Sequence, residues 1–263
     1  MGVIVTTTRK NQEKLQNHAQ ALAQEFHISF IQREKTSLPY LTATYEAPVL
    51  VVGTTKLTLH FPGQEDDPFF FHPSMAELRI KALARGENDR MVEACSLQAG
   101  DTFIDATMGL GSDSLVASYV VGKTGRVYGI ESHPVVAYLV AEGMKQLALT
   151  HATLHDELSR VAVNAGDHYE WLVTMEEDSA DVIYFDPMFQ KEVQGSSSIG
   201  PLRAFANTEE VSAATVEEAC RVAKRRVVLK DHRSSDRFEV LGFTRLLRKH
   251  AHIHYGVIDL KKG

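Results

Sequence analysis

The sequence lacks the features that would assign it to several specialised classes of protein. It has no run of about 18 apolar residues, which excludes a membrane-spanning helix, and its first residues, MGVIVTTTRKNQEKLQ, contain no apolar signal core. Its two cysteines, Cys95 and Cys220, lie 125 positions apart, which favours reduced core thiols over a disulfide or a metal pair. We therefore expect a cytoplasmic protein without a metal or membrane partner, and no pattern specifies an oligomeric state.

An excess of positive charge is also absent. The chain carries 28 Lys and Arg residues against 34 Asp and Glu residues, for a formal net charge of −6. A protein that depends on phosphate contacts usually presents a basic face, so this balance argues against tight, non-specific nucleic-acid binding. The last forty residues are nevertheless locally basic, as either a solvated surface or a phosphate-binding face would be. This basic group comprises Lys224, Arg225, Arg226, Lys230, Arg233, Arg237, Arg245, Arg248 and Lys249.

The first part of the chain predicts a small α+β subdomain over residues 1–70. Its patterns predict a strand at 3–8, an amphipathic helix at 11–26, a strand at 28–32 and a hairpin at 47–61. Pro73-Ser74 followed by Glu77 resembles a capped helix start. A helical segment is expected from Met75 to Ala94, with a break at Gly86.

From residue 100 onward, short apolar strands alternate with helical patterns. This alternation predicts a mostly parallel, twisted Rossmann-like α/β sheet covered by helices on both faces, within a domain over residues 71–263. The last strand follows LLRKHA with little room for a covering helix, so we expect an antiparallel edge strand. The predicted strands are 102–107, 126–131, 152–156, 181–186, 225–230 and 252–259, and the predicted helices are 112–121, 133–147, 166–176 and 208–223.

The segment FIDATMGLGSDS, residues 103–114, has the character of a ligand-binding turn. A strand ends at Asp105, Gly109 and Gly111 form the turn, and a helix follows. Glycines let the backbone approach a ligand closely, and a helix N-terminus supplies free amides. An acid beside a pyrophosphate would be repulsive, so Asp105 suits a cationic, amine-bearing ligand such as the methionine end of S-adenosylmethionine (SAM). The alternative is a turn that merely requires glycine.

Other acids occur at later strand ends. Glu131 ends the next strand about twenty residues after the glycine turn, where an acid can bind ribose hydroxyls. Asp167 lies near the start of the helix after the third strand and could accept from an adenine amine, although a simple N-cap is equally compatible. We also include Thr107 and Asp113, within the glycine segment, among the candidate cofactor-binding residues.

The segment DVIYFDPMF, residues 181–189, carries the candidate catalytic residues. A buried strand ends in Asp186, at the edge of the sheet where open α/β folds bind ligands. Pro187 stiffens the turn, so Asp186 can accept a hydrogen bond from an amine in a fixed position, and Phe189 can stack on a planar base. Methyl transfer to such an amine needs mainly positioning. The alternative is an ordinary strand-end turn with a core phenylalanine.

These motifs, taken with VYGIESHPVVAYLV and RRVVLK, resemble a known family. In this order they are similar to the class I methyltransferases that modify the guanine N2 amine of bacterial small-subunit (16S) rRNA, over roughly residues 72–232. The resemblance implies that SAM is bound by Asp105, Gly109, Gly111, Glu131 and Asp167, and that the target base faces Asp186, Pro187 and Phe189.

Two departures from the family pattern indicate a divergent branch. Gln190-Lys191-Glu192 stands where the family continues with proline and basic residues. FHPSMAELRIKALARGENDR replaces the family's glycine- and arginine-rich stretch before the first motif.

Several other residues allow a functional or a structural interpretation. Lys230, at the end of RRVVLK, and Arg233 lie beside the expected crevice and could contact a substrate phosphate or carbonyl; a surface location is the alternative. His250, His252 and His254 alternate along a strand, which could suggest zinc. No carboxylate or cysteine lies nearby, so an exposed edge-strand face explains these histidines better, and we expect no metal.

The sequence thus favours a SAM-dependent N-methyltransferase that acts on the exocyclic amine of a guanine in rRNA. A SAM-dependent methyltransferase of a small molecule or protein remains open, because the net charge is negative and the basic continuation is missing. A non-catalytic nucleotide-binding module has no need of acids at three strand ends. An NAD-dependent dehydrogenase is disfavoured by Asp105 and by the lack of a third glycine at the usual spacing.

Overall fold

The structure is a computed structural model that describes residues 2–151, 153–187, 211–247 and 251–260. The chain divides into two compact units, one containing described residues 2–72 and the other the described residues from Pro73 onward. Within the described part of the chain, no helix is both long enough and apolar enough to cross a bilayer.

The first unit is a four-stranded sheet with two helices. Its elements are β1 (Ile4–Thr7), α1 (Gln12–Glu25), β2 (Ser29–Phe30), α2 (Leu38–Tyr45), β3 (Val49–Val52) and β4 (Leu57–His60). The strand order is β2-β1-β3-β4, in which β1 is parallel to both neighbours and β4 is antiparallel to β3. The predicted helix and hairpin are therefore confirmed. The sequence patterns do not predict α2, whose start is capped by the Ser37 hydroxyl accepting from the Tyr40 amide at 3.3 Å.

The second unit alternates strands and helices, as predicted. Its elements are α3 (Ser74–Ala84), α4 (Arg90–Cys95), β5 (Thr102–Asp105), α5 (Ser112–Val121), β6 (Arg126–Glu131), α6 (Pro134–Ala148), α7 (His155–Arg160), β7 (Val161–Ala165), α8 (His168–Thr174), β8 (Ala180–Phe185), α9 (Ala213–Val222), β9 (Ala223–His232), α10 (Arg237–Val240), β10 (Thr244–Leu246) and β11 (Ile253–Asp259); a short 3₁₀ turn spans Gly122–Thr124. The break between α3 and α4 contains Gly86, as predicted.

The strands form one twisted, mixed sheet in the order β10-β11-β9-β8-β5-β6-β7. The five strands from β9 to β7 are parallel. Strand β11 is antiparallel to both neighbours, as predicted, and the short β10 lies outside it at the edge. After β5 the chain forms β6 and β7 on one side of that strand and then crosses to form β8 on its other side. Because the strand order reverses there, a crevice is expected beyond the carboxyl ends of β5 and β8.

The central strands are buried on both faces, as parallel strands covered by helices must be. Ile183 and Phe185 of β8 and Val227 and Leu229 of β9 are fully buried in one apolar cluster. Neither cysteine forms a disulfide in the part of the chain that the structure describes; Cys95 is buried and Cys220 is half-buried against the core. This placement agrees with the interpretation of both as core thiols.

Two local predictions are wrong. Residues 153–156 do not form a strand: they make a turn and begin α7, and Ala152 lies outside the described residues. Leu154 and Leu158 are both buried at helical spacing, and the third parallel strand is β7, directly after α7. Ser74 is the first residue of α3 rather than its cap, because Pro73 occupies the N-cap position without a side-chain cap bond.

Candidate active site

The glycine segment forms a tight turn between β5 and α5. Gly109 and Gly111 have φ angles of +51° and +71°, in the left-handed region that favours glycine. A Cβ atom on Gly111 would lie 2.6 Å from the terminal methyl carbons of Met108 and Met144, whereas nothing lies within 4 Å of a Cβ on Gly109. The left-handed backbone is therefore what favours glycine at 111, since the two methionine ends are flexible, and Gly109 leaves open space at the turn.

Hydrogen bonds to Glu131 connect this turn to the end of β6. Its Oε2 atom accepts from the Gly109 amide at 3.1 Å and its Oε1 atom accepts from the His133 amide at 2.9 Å. Burial raises the pKa of Glu131, and these two backbone amides partly oppose the rise. The structure thus brings the predicted acid and the predicted glycine together, with the carboxylate at the carboxyl end of the neighbouring strand.

Asp105 is the most deeply buried acid of the turn, with 2% of its surface exposed. Its Oδ2 atom accepts from the Ser114 hydroxyl at 2.6 Å, and its Oδ1 atom accepts from the Thr107 amide at 3.4 Å. Burial raises the pKa of Asp105 to about 7, the Ser114 bond opposes the rise, and the nearby Asp113 adds to it. No cation pairs with Asp105 among the described residues, so its charge is uncompensated within the part of the protein that the structure describes.

Asp113, at the start of α5, lies at the centre of a charged cluster. Its Oδ1 atom accepts from Arg79 Nη1 at 2.5 Å, and its Oδ2 atom accepts from the Tyr184 hydroxyl at 2.8 Å and from Lys230 Nζ at 3.3 Å. Burial would raise the pKa of Asp113, but Lys230 and Arg79 outweigh it and hold that pKa well below its usual range. Unlike Asp105, this carboxylate is paired with two cationic side chains of the protein.

Lys230 joins this cluster to the end of β8. Its Nζ atom donates to Asp186 Oδ2 at 2.6 Å, while the Asp186 amide donates to the Thr107 hydroxyl at 2.6 Å. Burial would lower the pKa of Lys230, but Asp113 and Asp186 raise it, so the ammonium stays charged. Asp186 is therefore held at two points, and its carboxylate lies at the carboxyl end of β8, next to the glycine turn that follows the neighbouring β5. Pro187 follows it, half-buried, and Phe189 lies outside the described residues.

The sequence interpretation missed Arg79 and Tyr184. Arg79 also donates to Asp89, the N-cap of α4, through Nε at 2.7 Å and Nη2 at 2.9 Å, and so joins α3, α4 and α5. Its partner Asp113 is 34 residues away and Tyr184 is 71 residues from the same acid. One signal was available: Arg79 lies in the segment that departs from the family pattern before the first motif.

The remaining predicted residues have diverse surroundings. Asp167 is the N-cap of α8 and accepts from the Tyr169 and Glu170 amides at 2.8 and 3.0 Å. Arg233 is exposed just after β9. His254 is buried rather than exposed, and His250 lies outside the described residues. Among residues that the structure describes, no group of three or more His, Cys, Asp or Glu side chains is arranged to hold a metal ion.

Most of the described basic group forms ion pairs within the protein. Arg225 pairs with Asp101 and Arg226 with Asp259 at the start of β9, the edge of the sheet opposite the crevice. Lys224, Arg237 and Arg245 also have acidic partners, and Arg248 and Lys249 lie outside the described residues. Within the described part of this group, Arg233 alone has no ion pair.

Comparison with known proteins identifies relatives along most of the chain. A family model described as "Putative SAM-dependent methyltransferase" matches residues 34–241. YpiP of Bacillus subtilis (strain 168) is 39% identical over 256 residues, which are 97% of this chain and 99% of that protein. Ribosomal RNA small subunit methyltransferase J of Dechloromonas aromatica (strain RCB) is 31% identical over 204 residues, 74% of this chain and 80% of that protein.

A solved structure has the same fold. The SAM-dependent methyltransferase NGO1261 from Neisseria gonorrhoeae matches 99% of this chain and 97% of its own with a TM-score of 0.64 at 17% identity. The Rossmann-like class I fold and the SAM cofactor expected from the sequence are confirmed by these matches. The matched family model includes the glycine turn, Glu131, Asp186 and Lys230. The chain belongs to the SAM-dependent methyltransferase family.

Proposed function

We propose that this methyltransferase acts on the exocyclic N2 amine of a guanine in small-subunit rRNA. The observation that carries the proposal is Asp186: a carboxylate at the end of β8, held by Lys230 and Thr107 next to the glycine turn. Its relative from Dechloromonas aromatica is a ribosomal RNA small subunit methyltransferase. An rRNA substrate would place the enzyme in the cytoplasm.

The cofactor side of the site suits SAM. The open space at Gly109 admits a ligand close to the backbone. Asp105 and Glu131 offer carboxylate oxygens for an ammonium group and a ribose diol, and Asp167 could accept from the adenine amine. We assign Thr107 and Gly111 to the shape of this cradle. The Asp113 oxygens are already bonded by protein groups, including the Lys230 that holds Asp186, so we assign Asp113 to the neighbouring substrate side. When bound, SAM supplies an electrophilic methyl group on a sulfonium sulfur.

On the substrate side, Asp186 would accept a hydrogen bond from the guanine amine and direct the nitrogen lone pair toward that methyl group. As the N–C bond forms and the C–S bond breaks, the amine proton passes to Asp186 or to water. Lys230 is assigned to positioning, because it fixes Asp186 in place. Pro187 restricts the turn, Phe189 would stack on the target base, and Arg233 would contact a substrate phosphate.

The test is the identity of the methylated nucleoside. Small-subunit rRNA from a strain lacking this gene is incubated with the purified enzyme and SAM, digested to nucleosides and analysed by mass spectrometry. We expect N2-methylguanosine at one position with the wild-type enzyme and none with Asp186→Ala. A different methylated nucleoside would overturn the guanine assignment, and no methylated RNA nucleoside would overturn the RNA substrate.

A small-molecule or protein substrate is the second candidate. It is favoured by the net charge of −6 and by the internal ion pairs that occupy most of the basic group. The two candidates differ in their response to salt, because each phosphate contact adds a counterion-release term to the affinity. Turnover that is insensitive to salt and to RNA would favour the second candidate.

A further inference from the structure

A small cavity lies between α4 and the β10–β11 pair. Its volume is about 120 Å³, and its lining includes Arg90 and Glu93 of α4, Leu246 and Leu247 at the end of β10, and Ile253 and Tyr255 of β11. None of these residues belongs to the cofactor turn or to the Asp186–Lys230 pair. We call it the β10–β11 cavity.

The topology places this cavity on the substrate side of the sheet. Strand β11 runs antiparallel to β9, so Tyr255 lies directly opposite Lys230, and Leu246 of β10 lies opposite Tyr255. Side chains of directly opposed residues share a face of the sheet. From the glycine turn on β5, the order across the sheet is Asp186, then Lys230, then the cavity.

The cavity offers three kinds of contact. The Tyr255 hydroxyl has no hydrogen-bond partner among the described residues, although the ring is half-buried. Arg90 is exposed and has no acidic partner in the part of the chain that the structure describes. Leu247 is 77% exposed and Leu246 is 38% exposed. A phenol, an unpaired guanidinium and apolar surface are the groups by which proteins bind single-stranded nucleotides.

We propose that the β10–β11 cavity is a second nucleotide subsite, which binds the base next to the methylated guanine. This inference rests on the proposed rRNA substrate. The base would lie against the leucine and tyrosine side chains, the Tyr255 hydroxyl would bond to a base edge, and Arg90 would contact the adjoining phosphate. The subsite would orient the RNA strand and so help deliver the target guanine to Asp186.

The experiment measures methyl transfer from radiolabelled SAM to two substrates, protein-free small-subunit rRNA and assembled small subunits, both from the strain lacking the gene. The variants are Arg90→Gln, Leu247→Ser and Tyr255→Phe. The matched control is Arg126→Gln, an exposed arginine at the start of β6 on the opposite edge of the sheet. SAM affinity, measured by calorimetry, and the melting temperature report on folding.

We expect Arg90→Gln combined with Leu247→Ser to raise the KM for both RNA substrates by about tenfold with little change in kcat, as loss of a binding contact does. Tyr255→Phe should have a smaller effect in the same direction. Arg126→Gln and the SAM affinity should not change.

Unchanged KM values in an active enzyme would overturn the subsite. A defect on assembled subunits alone would assign the cavity to a ribosomal protein and would also contradict the proposal. If the wild-type enzyme transfers no methyl group to either RNA, the proposed function fails first, and the subsite fails with it.

Discussion

The carboxylates in the two halves of the crevice have different hydrogen-bond and ion-pair partners. On the half that we assign to the cofactor, here called the cofactor half, Asp105 and Glu131 are bonded by backbone amides and the Ser114 hydroxyl, with no cationic partner among the described residues. On the half that we assign to the substrate, here called the substrate half, Asp113 and Asp186 are bonded by the cations Arg79 and Lys230. The two halves are separated by only one step of the sheet, from β5 to β8.

This difference indicates which charge the group bound at each half should carry. Burial raises the pKa values of Asp105 and Glu131, and no cation among the described residues opposes the rise. Burial also raises the pKa of Asp186, but there Lys230 opposes the rise. A cationic ligand would supply that compensation, and we propose that the ammonium group of SAM does so at Asp105. The half that we assign to the substrate already contains two cations, so it suits a neutral amine that must be positioned rather than attracted.

The largest effect is expected at the substrate half. Asp186→Ala should reduce kcat by roughly a hundredfold to ten-thousandfold, since it removes the acceptor that orients the amine. SAM affinity should stay nearly unchanged, because Asp186 is assigned to the substrate. The measurements are turnover at saturating SAM and calorimetric titration, with Asp156→Asn on α7 as the control. Lost SAM affinity with normal turnover would mean that the two halves are wrongly assigned.

The next largest effect is expected from the cation that neutralises this half. Lys230→Met should lower the free energy of unfolding by about 3–5 kcal/mol, because it leaves Asp113 and Asp186 buried with less compensation. Lys224→Met is the matched control on the same strand: its 3.9 Å pair with Asp181 is half-exposed and should contribute about 0–1 kcal/mol. Denaturant titration measures both variants, and equal losses would contradict the cluster's role in stability.

A smaller effect is expected at the cofactor half. Asp105→Asn and Glu131→Gln should each weaken SAM binding at pH 8 by about tenfold or more, the loss of one charge-assisted hydrogen bond. Calorimetry measures the dissociation constants. Asp259→Asn, at the far edge of the sheet, is the control. If both variants bound SAM as tightly as the wild type, the cofactor could not lie against these carboxylates.

The smallest effect is expected outside the crevice. Arg233→Glu should reduce the slope of log affinity for RNA against log salt by about 0.7, as for one single-strand phosphate contact. Arg226→Glu should instead lower stability, because Arg226 bonds Asp259 at 2.6 Å and the Ala94 carbonyl at 2.7 Å. Filter binding at several salt concentrations separates the two. An altered slope in Arg226→Glu alone would place the RNA on the opposite edge.

The sequence patterns predict the fold well where the signals are local. The strand, glycine turn and helix over residues 102–121 agree with β5 and α5, and the alternation of short apolar strands with helices predicts the sheet. The third strand is misplaced, because ATLHD alternates like a strand while Leu154 and Leu158 bury a helical face. Tertiary packing decides between these two periods.

The charged cluster around Asp113 and Lys230 could not be predicted from the sequence, because its members are far apart along the chain. Lys230 is 117 residues from Asp113 and 44 from Asp186, and neither spacing carries a local signal. The ion pairs of Arg225 and Arg226 likewise join distant segments, so a basic stretch in the sequence does not become a basic face. The predicted strand ends indicate which acids lie close together, but only the three-dimensional structure shows which of them are paired with cations.

The most direct test of this contrast is the number of protons released when SAM binds. At pH 7, calorimetry in two buffers of different ionisation enthalpy measures that number for the wild type and for Asp105→Asn. Because the pKa of Asp105 is raised to about 7, half of the free enzyme carries this proton, and a cationic ligand should expel it. We predict that the wild type releases roughly half a proton per SAM more than Asp105→Asn. Comparing the two proteins cancels the protons that the amine of SAM itself gains or loses, because that contribution is the same in both. Equal proton release by the two proteins would contradict an uncompensated carboxylate at the cofactor half.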